Sequence, residues 1–328
     1  MSFTHLHLHT GYSFLDGAIR MEELCQTVAN RGMDSVAVTD HGHLHGMLDF
    51  YQSAQKTGIK PIMGSEVYIL PEGCSATERK REDLYHMVLL AENQTGWMNL
   101  KKVVSRGYTE GFYYKPRIDW KMLEEHSEGI IATTACLGGP LSRIYNGWEG
   151  TRKSREGRSP RKNPDKAREV AKNLASIFGK DNFFLELQDN GETPQYPYNE
   201  FLLELGEDLG LNCVGTADAH YVDPEHAEAH RYLMCIQRRQ TVEDFAGHAA
   251  AELYIKTSEQ IRSGWFKDHQ FAIDNAAEIG ARCNVSLRTG DIFLPPFPCA
   301  EGRDETAELE VSVRAGMQRR FDEMLRSG

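Results

Sequence analysis

The stretch HLHLHT, residues 5–10, sets histidines at positions 5, 7 and 9 with leucines between them. On a β-strand, side chains at i, i+2 and i+4 share one face, so His5, His7 and His9 can converge on one point. Three imidazoles so arranged are a metal-site geometry. An affinity tag would not interleave leucines and run directly into a patterned fold. A polar edge strand is the plain alternative, and the rest of the chain decides between the two.

With 328 residues the chain can bury a large core, as one α/β barrel-sized domain or as a domain plus an appendage. Lys and Arg total 37 against 48 Asp and Glu, a net charge of −11, so no global positive field draws in nucleic acid and any DNA contact is local. Clustered metal ions would neutralise part of that acidity. The seven cysteines (25, 74, 136, 213, 235, 283 and 299) are odd in number and scattered, with no CxxC pair. Neither a signal peptide nor a long apolar run is present. The expectation is a cytoplasmic protein with free thiols and no membrane contact.

After the histidine stretch, YSFLDGAI reads as a turn and MEELCQTVANRG as an amphipathic helix stopped at Gly32. Apolar strands follow in SVAVTDHG, KPIMGSEVYI, YHMVLLAEN, GIIATTAC, NFFLELQD and NCVGTADAH. Helices are predicted over 46–57, 95–108, DKAREVAKNLASIFG and 198–210. About seven strands, most followed by a helix, imply an α/β fold with a parallel sheet, and this many units make a closed barrel plausible. Residues 147–165, with Arg152, Lys153, Arg155, Arg158, Arg161 and Lys162, lack hydrophobic periodicity and read as a basic loop. A boundary is expected near residue 290, where LPPFP breaks structure before a final helix.

In parallel α/β folds functional groups collect where strands end, and here strand after strand ends in a metal-ligand type. The first supplies His7 and His9, with Asp16 in the next turn. Later strands end in Asp40 and His41, in Glu66, in Cys136, and in Asp218 and His220, while His86 opens its strand. Singly each has a dull explanation: Asp40 as a helix cap, His86 as a satisfied core histidine, Cys136 as a small hydrophobe. Together, so many imidazole, carboxylate and thiol groups on one rim would repel or lack hydrogen bonds unless cations held them. The mix suits zinc, iron or manganese, and its size exceeds one tetrahedral site, giving two or three divalent ions. Such a cluster suits phosphoryl chemistry with a metal-activated water and no protein nucleophile. His43 and His45 can crown the loop of the second strand, and His126, His226, His230, His248 and His269 are expected at the surface.

The motifs HLHLHT, YSFLDGA, VTDHGHLHG, KPIMGSEVY, YHMVLLAEN, EGFYYKPRID, TTACLGG, FFLELQDNG and ADAHY resemble, in order and spacing, the PHP (polymerase and histidinol phosphatase) domain of bacterial DNA polymerase III alpha subunits. The resemblance implies a distorted (βα)7 barrel over 1–290. Residues 291–328 would then be a linker and the first helix of an incomplete polymerase core. It carries over the ligands His7, His9, Asp16, His41, Glu66, His86, Cys136, Asp218 and His220, all metal-competent here. His5 and Asp40 are expected to support them from behind.

What the resemblance implies about activity follows from this complete set: a metal-dependent 3′–5′ exonuclease acting on DNA 3′ ends. Lys115 and Arg117 are candidates for holding the DNA phosphate. The remainder of a polymerase chain is the expected partner, and a proofreading exonuclease subunit a further one. A polymerase active site is not expected within these residues. Two other readings stand beside the exonuclease, a metal-stabilised docking module without catalysis and a phosphatase of small phosphomonoesters.

Overall fold

The computed structural model describes residues 2–149, 161–245, 252–292 and 294–327. Most of the expected basic loop, including Arg152, Lys153, Arg155 and Arg158, lies outside the described residues, as does His248. The chain divides into two units, Met1–Ser286 and Leu287–Gly328.

The first unit is built on a seven-stranded curled sheet. Its strands are β1 (Ser35–Val38), β2 (Lys60–Ile69), β3 (Tyr85–Ala91), β4 (Arg117–Ile118), β5 (Ile130–Thr133), β6 (Phe183–Gln188) and β7 (Cys213–Thr216). They run in the order β1-β2-β3-β5-β6-β7, with the two-residue β4 also paired to β2. The strands are apolar on both faces because helices cover them. Among these are α1 (Met21–Asn30), α2 (Met47–Thr57) and α3 (Gln94–Thr109), all within one or two residues of the ranges that periodicity predicts. The Asn93 side chain caps α3 by accepting from Gly96 N–H, and Gly58 ends α2 in the left-handed conformation.

The histidine stretch closes the sheet. It forms no long ladder but bonds alternately to the two edge strands. Ala37 N–H donates to the His5 carbonyl at 2.7 Å and Thr39 N–H to that of Leu8 at 2.9 Å. On the other side His9 N–H donates to the Ala219 carbonyl at 2.8 Å. Isolated bridges His5–Val36 and Leu8–Ala219 mark the same closure. The result is an α/β distorted barrel.

One expectation is corrected here: the sheet is mixed, because β3 runs antiparallel to both β2 and β5. The reason lies in residues 70–84, LPEGCSATERKREDL, which carry no helical apolar period. A parallel partner needs a crossover of a dozen or more residues, usually a helix, so the chain turns back instead. Reversal puts the start of β3, and with it His86, on the rim where the parallel strands end. His86 pairs with Tyr68, two residues beyond Glu66.

That connection is pinned by Arg117. Its guanidinium is 2% exposed and donates to the carbonyls of Gly111 at 2.8 Å and of Ala76, Glu78 and Lys80 at 2.9 Å. Asp119 assists by accepting from Ala76 N–H at 2.9 Å. The expected phosphate-holding role of Arg117 is therefore corrected, since its donors are spent inside the protein.

In the second unit, helix Glu305–Ser327 has no buried residue. Its apolar side chains, among them Leu325 at 82% exposure, face outward. No described helix is long and apolar enough to cross a membrane.

Arg117→Ala leaves four carbonyls without a charged donor, so it should cost about 3 kcal/mol of stability. Trypsin cleavage at Arg79, Lys80 or Arg81 should accelerate. Thermal unfolding and timed proteolysis measure both, and an unchanged melting temperature would refute this role.

Candidate metal centre

The rim gathers its ligand types around Glu66, which β2 carries into the barrel at 1% exposure. The Glu66 carboxylate lies 2.7 Å from His41 Nδ1, 2.9 Å from His86 Nδ1, 3.3 Å from His9 Nε2 and 3.5 Å from His7 Nε2. Cys136 Sγ is 3.7 Å from the same carboxylate. Asp218 Oδ1 stands 3.2 Å from His7 Nε2 and 3.5 Å from His9 Nε2. Asp16 Oδ2 stands 2.6 Å from His41 Nε2 and 3.8 Å from His220 Nε2. The nine residues expected as ligands thus form one contiguous set. Three overlapping groups within it have ligand atoms close enough to share an ion: His9, His41 and His220; His7, His9 and Glu66; His41, Glu66 and His86.

Three observations show that the set fits cations. Glu66 Oε2, Asp218 Oδ1 and His41 Nδ1 are buried with no hydrogen-bond partner among the described residues, although imidazole or carboxylate atoms lie close by. Close approach without hydrogen-bond alignment is the pattern of ligands around a common ion. Next, His7 Nε2 and His9 Nε2 face each other at 3.2 Å. Each ring's other nitrogen has an acceptor, Glu186 at 2.6 Å from His7 Nδ1 and Ser13 Oγ at 3.2 Å from His9 Nδ1. Those acceptors place the N–H on Nδ1 and leave two Nε2 lone pairs aimed at one point. Finally, backbone strain is concentrated here, with Leu15, Ala135 and Asp218 at positive φ of 60°, 55° and 50°. Each is a ligand or adjoins one.

The supporting residues differ partly from expectation. Asp40 accepts from Thr10 N–H at 2.8 Å and from Ser13 Oγ at 2.6 Å, so it holds the hydroxyl that faces His9. His5 is corrected: its Nε2 bonds the Lys256 carbonyl at 2.9 Å, a layer below the cluster, and it touches no ligand. Its ring packs edge-on to Phe3, 4.7 Å away, and turns to that carbonyl, whereas the equally spaced His7 and His9 lean together until their Nε2 atoms are 3.2 Å apart. The support is Glu186, missed in the sequence. It accepts from His7, from Thr216 Oγ1 at 2.6 Å, from Gln188 Nε2 at 2.8 Å and from Thr133 Oγ1. Its signal was a Glu and a Gln two apart inside the apolar run FFLELQ. His230 was also misplaced at the surface; it is buried, with Nε2 at 2.9 Å from the Asp16 carbonyl.

Residues 5–190 match the PHP domain family. The chain belongs to that family. Asp218 and His220 lie beyond the matched residues, yet the barrel brings them to the same cluster. The chain is 36% identical over 345 aligned positions to the DNA polymerase III subunit alpha of Deinococcus radiodurans, covering 99% of this chain and 24% of that protein. To the protein of the same name from Helicobacter pylori it is 40% identical over 301 positions, covering 90% of this chain and 24% of that protein. The chain therefore spans about a quarter of the length of the curated relatives it matches. Among solved structures it is similar to an amidohydrolase from Chromobacterium violaceum, at 15% identity and a TM-score of 0.39, covering 66% of this chain and 87% of that one.

The PHP cluster forms the floor of a cleft of about 620 Å³. Tyr12, Phe14, Tyr108, Lys115 and Arg238 stand along its walls. Lys115 Nζ lies 3.1 Å from Tyr68 Oη and 4.8 Å from the centre of that ring. Without cations the cluster balances itself with protons. Burial alone would lower the pKa of His41, but Glu66 and Asp16 outweigh it and hold it up to about 10. His7 and His220 are likewise raised against their burial, chiefly by Asp218, while Glu66 is held well below its usual range by His86 and His41. Burial and the charge of Glu66 push the Cys136 thiol well above its ordinary value.

A proton held by His41 in the folded protein stabilises it fully below pH 6.5, the ordinary histidine value, and that contribution is lost as the pH rises through about 10. Chelator-treated protein should therefore lose stability across that window, and metal-loaded protein should not. Divalent-ion binding at pH 8 should release protons, measurable by calorimetry in buffers of differing ionisation enthalpy. Zero proton release would contradict the protonated cluster. Glu186→Gln should weaken ion binding by about 10- to 100-fold, read in a metal-indicator competition.

Proposed function

We propose that this chain is a metal-dependent phosphodiesterase that removes nucleotides from DNA 3′ ends. It would serve as the PHP part of a longer replicative DNA polymerase III alpha chain in the cytoplasm. The observation that carries the reading is the complete ligand set. All nine positions hold metal-competent groups, six of them in groups able to share an ion, and Glu66 Oε2, Asp218 Oδ1 and His41 Nδ1 are buried without a hydrogen-bond partner among the described residues. The opening of the cluster into a cleft of about 620 Å³ favours catalysis over a docking module that would hold ions for stability alone.

His7, His9, Asp16, His41, Glu66, His86, Cys136, Asp218 and His220 would hold two or three zinc, manganese or iron ions. Once bound, these would supply a Lewis acid able to activate a water and stabilise charge on phosphoryl oxygens. The chain's own residues do the rest. Glu186 and Ser13 hold the tautomers of His7 and His9, so that both Nε2 atoms point into the cluster. Lys115, which lines the cleft, would meet a backbone phosphate. The cleft volume suits a terminal nucleotide. The remainder of the polymerase chain is the expected partner. A separate exonuclease subunit would be needed only if this site were idle.

The test is incubation of the chain with a 3′-mismatched primer and manganese or zinc, with and without chelator. Release of single nucleotides that chelation abolishes is expected. His9→Ala and Asp218→Ala should each lower the rate at least about 100-fold while the variants stay folded by circular dichroism. No release with either metal would sink the exonuclease reading. Turnover of small phosphomonoesters but not primers would favour the phosphatase.

A further inference from the structure

A row of aromatic rings leaves the cleft and is not used by the cluster. His43 lines the cleft and stacks on His45, with centroids 4.5 Å apart and planes within 8°. His45 stands 6.1 Å from Tyr108, which also lines the cleft, and Tyr108 is 6.1 Å from Phe112 with planes 22° apart. Tyr108 lies in the last turn of α3 and Phe112 three residues past its end, where the chain leaving the helix brings the two rings together. The row therefore begins in the cleft with His43 and Tyr108 and continues outside it with His45 and Phe112.

These rings contribute little to the core. Tyr108 is 37% and Phe112 51% exposed, and His45 is exposed as well. The His43 ring is held by its Nε2, 2.9 Å from the Tyr12 carbonyl, while its buried Nδ1 has no partner among the described residues. Isolated exposed rings need no explanation, but a contiguous row opening into a functional cleft marks a binding surface. The row comprises two stacked pairs, His43 with His45 and Tyr108 with Phe112, joined by a tilted contact of 43°, and exposed ring faces of this kind are what proteins offer to single-stranded nucleic acids, because every base has a π-face and stacking tolerates any sequence. The cleft lining carries two cations, Lys115 and Arg238, and the chain is acidic overall. Stacking must then outweigh phosphate contacts.

From this arrangement we infer that His43, His45, Tyr108 and Phe112 form a base-stacking track for single-stranded DNA, guiding an unpaired 3′ end into the cleft. The inference rests on the reading of the cluster as a DNA 3′-end hydrolase and adds how the strand is held. A frayed end can lay its bases on the track, whereas a paired end keeps its bases stacked within the duplex. The track would thus select unpaired termini without reading sequence.

Binding of a labelled oligodeoxythymidylate with phosphorothioate linkages, which resists hydrolysis, can be followed by fluorescence anisotropy with metal present. Tyr108→Ala and Phe112→Ala should each weaken binding about tenfold, while Tyr108→Phe and Phe112→Tyr should stay within about twofold of the parent. The salt dependence should be shallow, with a log–log slope no steeper than about −2. A 2-aminopurine placed in the strand should be quenched on binding to the parent and less so with the alanine variants. Alanine variants that bind like the parent would overturn the track, as would aromatic replacements that fail equally. Tighter binding of oligouridylate would overturn the assignment to DNA. Absence of oligonucleotide binding would make the row a protein-docking face and end the proposal. Turnover of bis(p-nitrophenyl) phosphate by the parent, measured in parallel, reports on the cluster alone, so failure of the hydrolase reading is separable from failure of the track.

Discussion

The structure is organised around a charge problem. Glu66, fully inside the barrel, has four imidazoles and a thiol within 4 Å, and Asp16, Asp218 and Glu186 crowd the same rings from other sides. Such a set is stable only if positive charge sits within it, because a buried carboxylate without a partner costs several kcal/mol. Neighbouring carboxylates raise the pKa of His7, His41 and His220 against their burial, which favours protons on these rings as the source of that charge when cations are absent. Divalent ions would supply it too, and would also satisfy Glu66 Oε2 and Asp218 Oδ1, which have no hydrogen-bond partner among the described residues.

Meeting this constraint shapes the backbone. The ligands come from sites far apart in sequence, so the sheet must curl until its two edges meet, and the histidine stretch joins them by bonding to both. A regular strand there would ladder with one neighbour; alternation between β1 and β7 aims His7 and His9 inward while still completing the barrel. Antiparallel β3 is part of the same solution, since only reversal brings His86 to this rim. Gly17 shows how tightly the first turn is drawn, because an added Cβ would lie 2.1 Å from the Thr10 carbonyl oxygen.

Much of this was legible in the sequence for a physical reason. Apolar strands that finish in a single polar ligand type advertise both the core and the rim, so the order of residues alone is enough to place His41, Cys136, Asp218 and His220. The reversal of β3 was less visible, although the lack of a crossover helix in residues 70–84 was its signal. Glu186 was hidden because a buried carboxylate that receives four donors looks, in sequence, like one polar interruption of a strand. His5 and Arg117 misled for opposite reasons. His5 shares a face with His7 and His9 but not their depth, and Arg117 serves backbone carbonyls whose convergence no local pattern records.

The same charge argument bears on how an acidic chain could handle a polyanion. With a net charge of −11 and four carboxylates in or beside the cluster, the cleft floor repels phosphate as long as only protons balance it. Replacing a proton by a divalent ion adds one positive charge at each exchanged site. Loading therefore changes the floor from anion-repelling toward anion-binding at the same step that satisfies Glu66 and Asp218. Under the proposed function, attraction of a strand would thereby be tied to readiness for chemistry, with long-range steering by the acidic protein surface contributing little. Holding that strand would then fall to contacts that do not depend on charge, which is the part the inferred track of exposed rings beside the cleft would play.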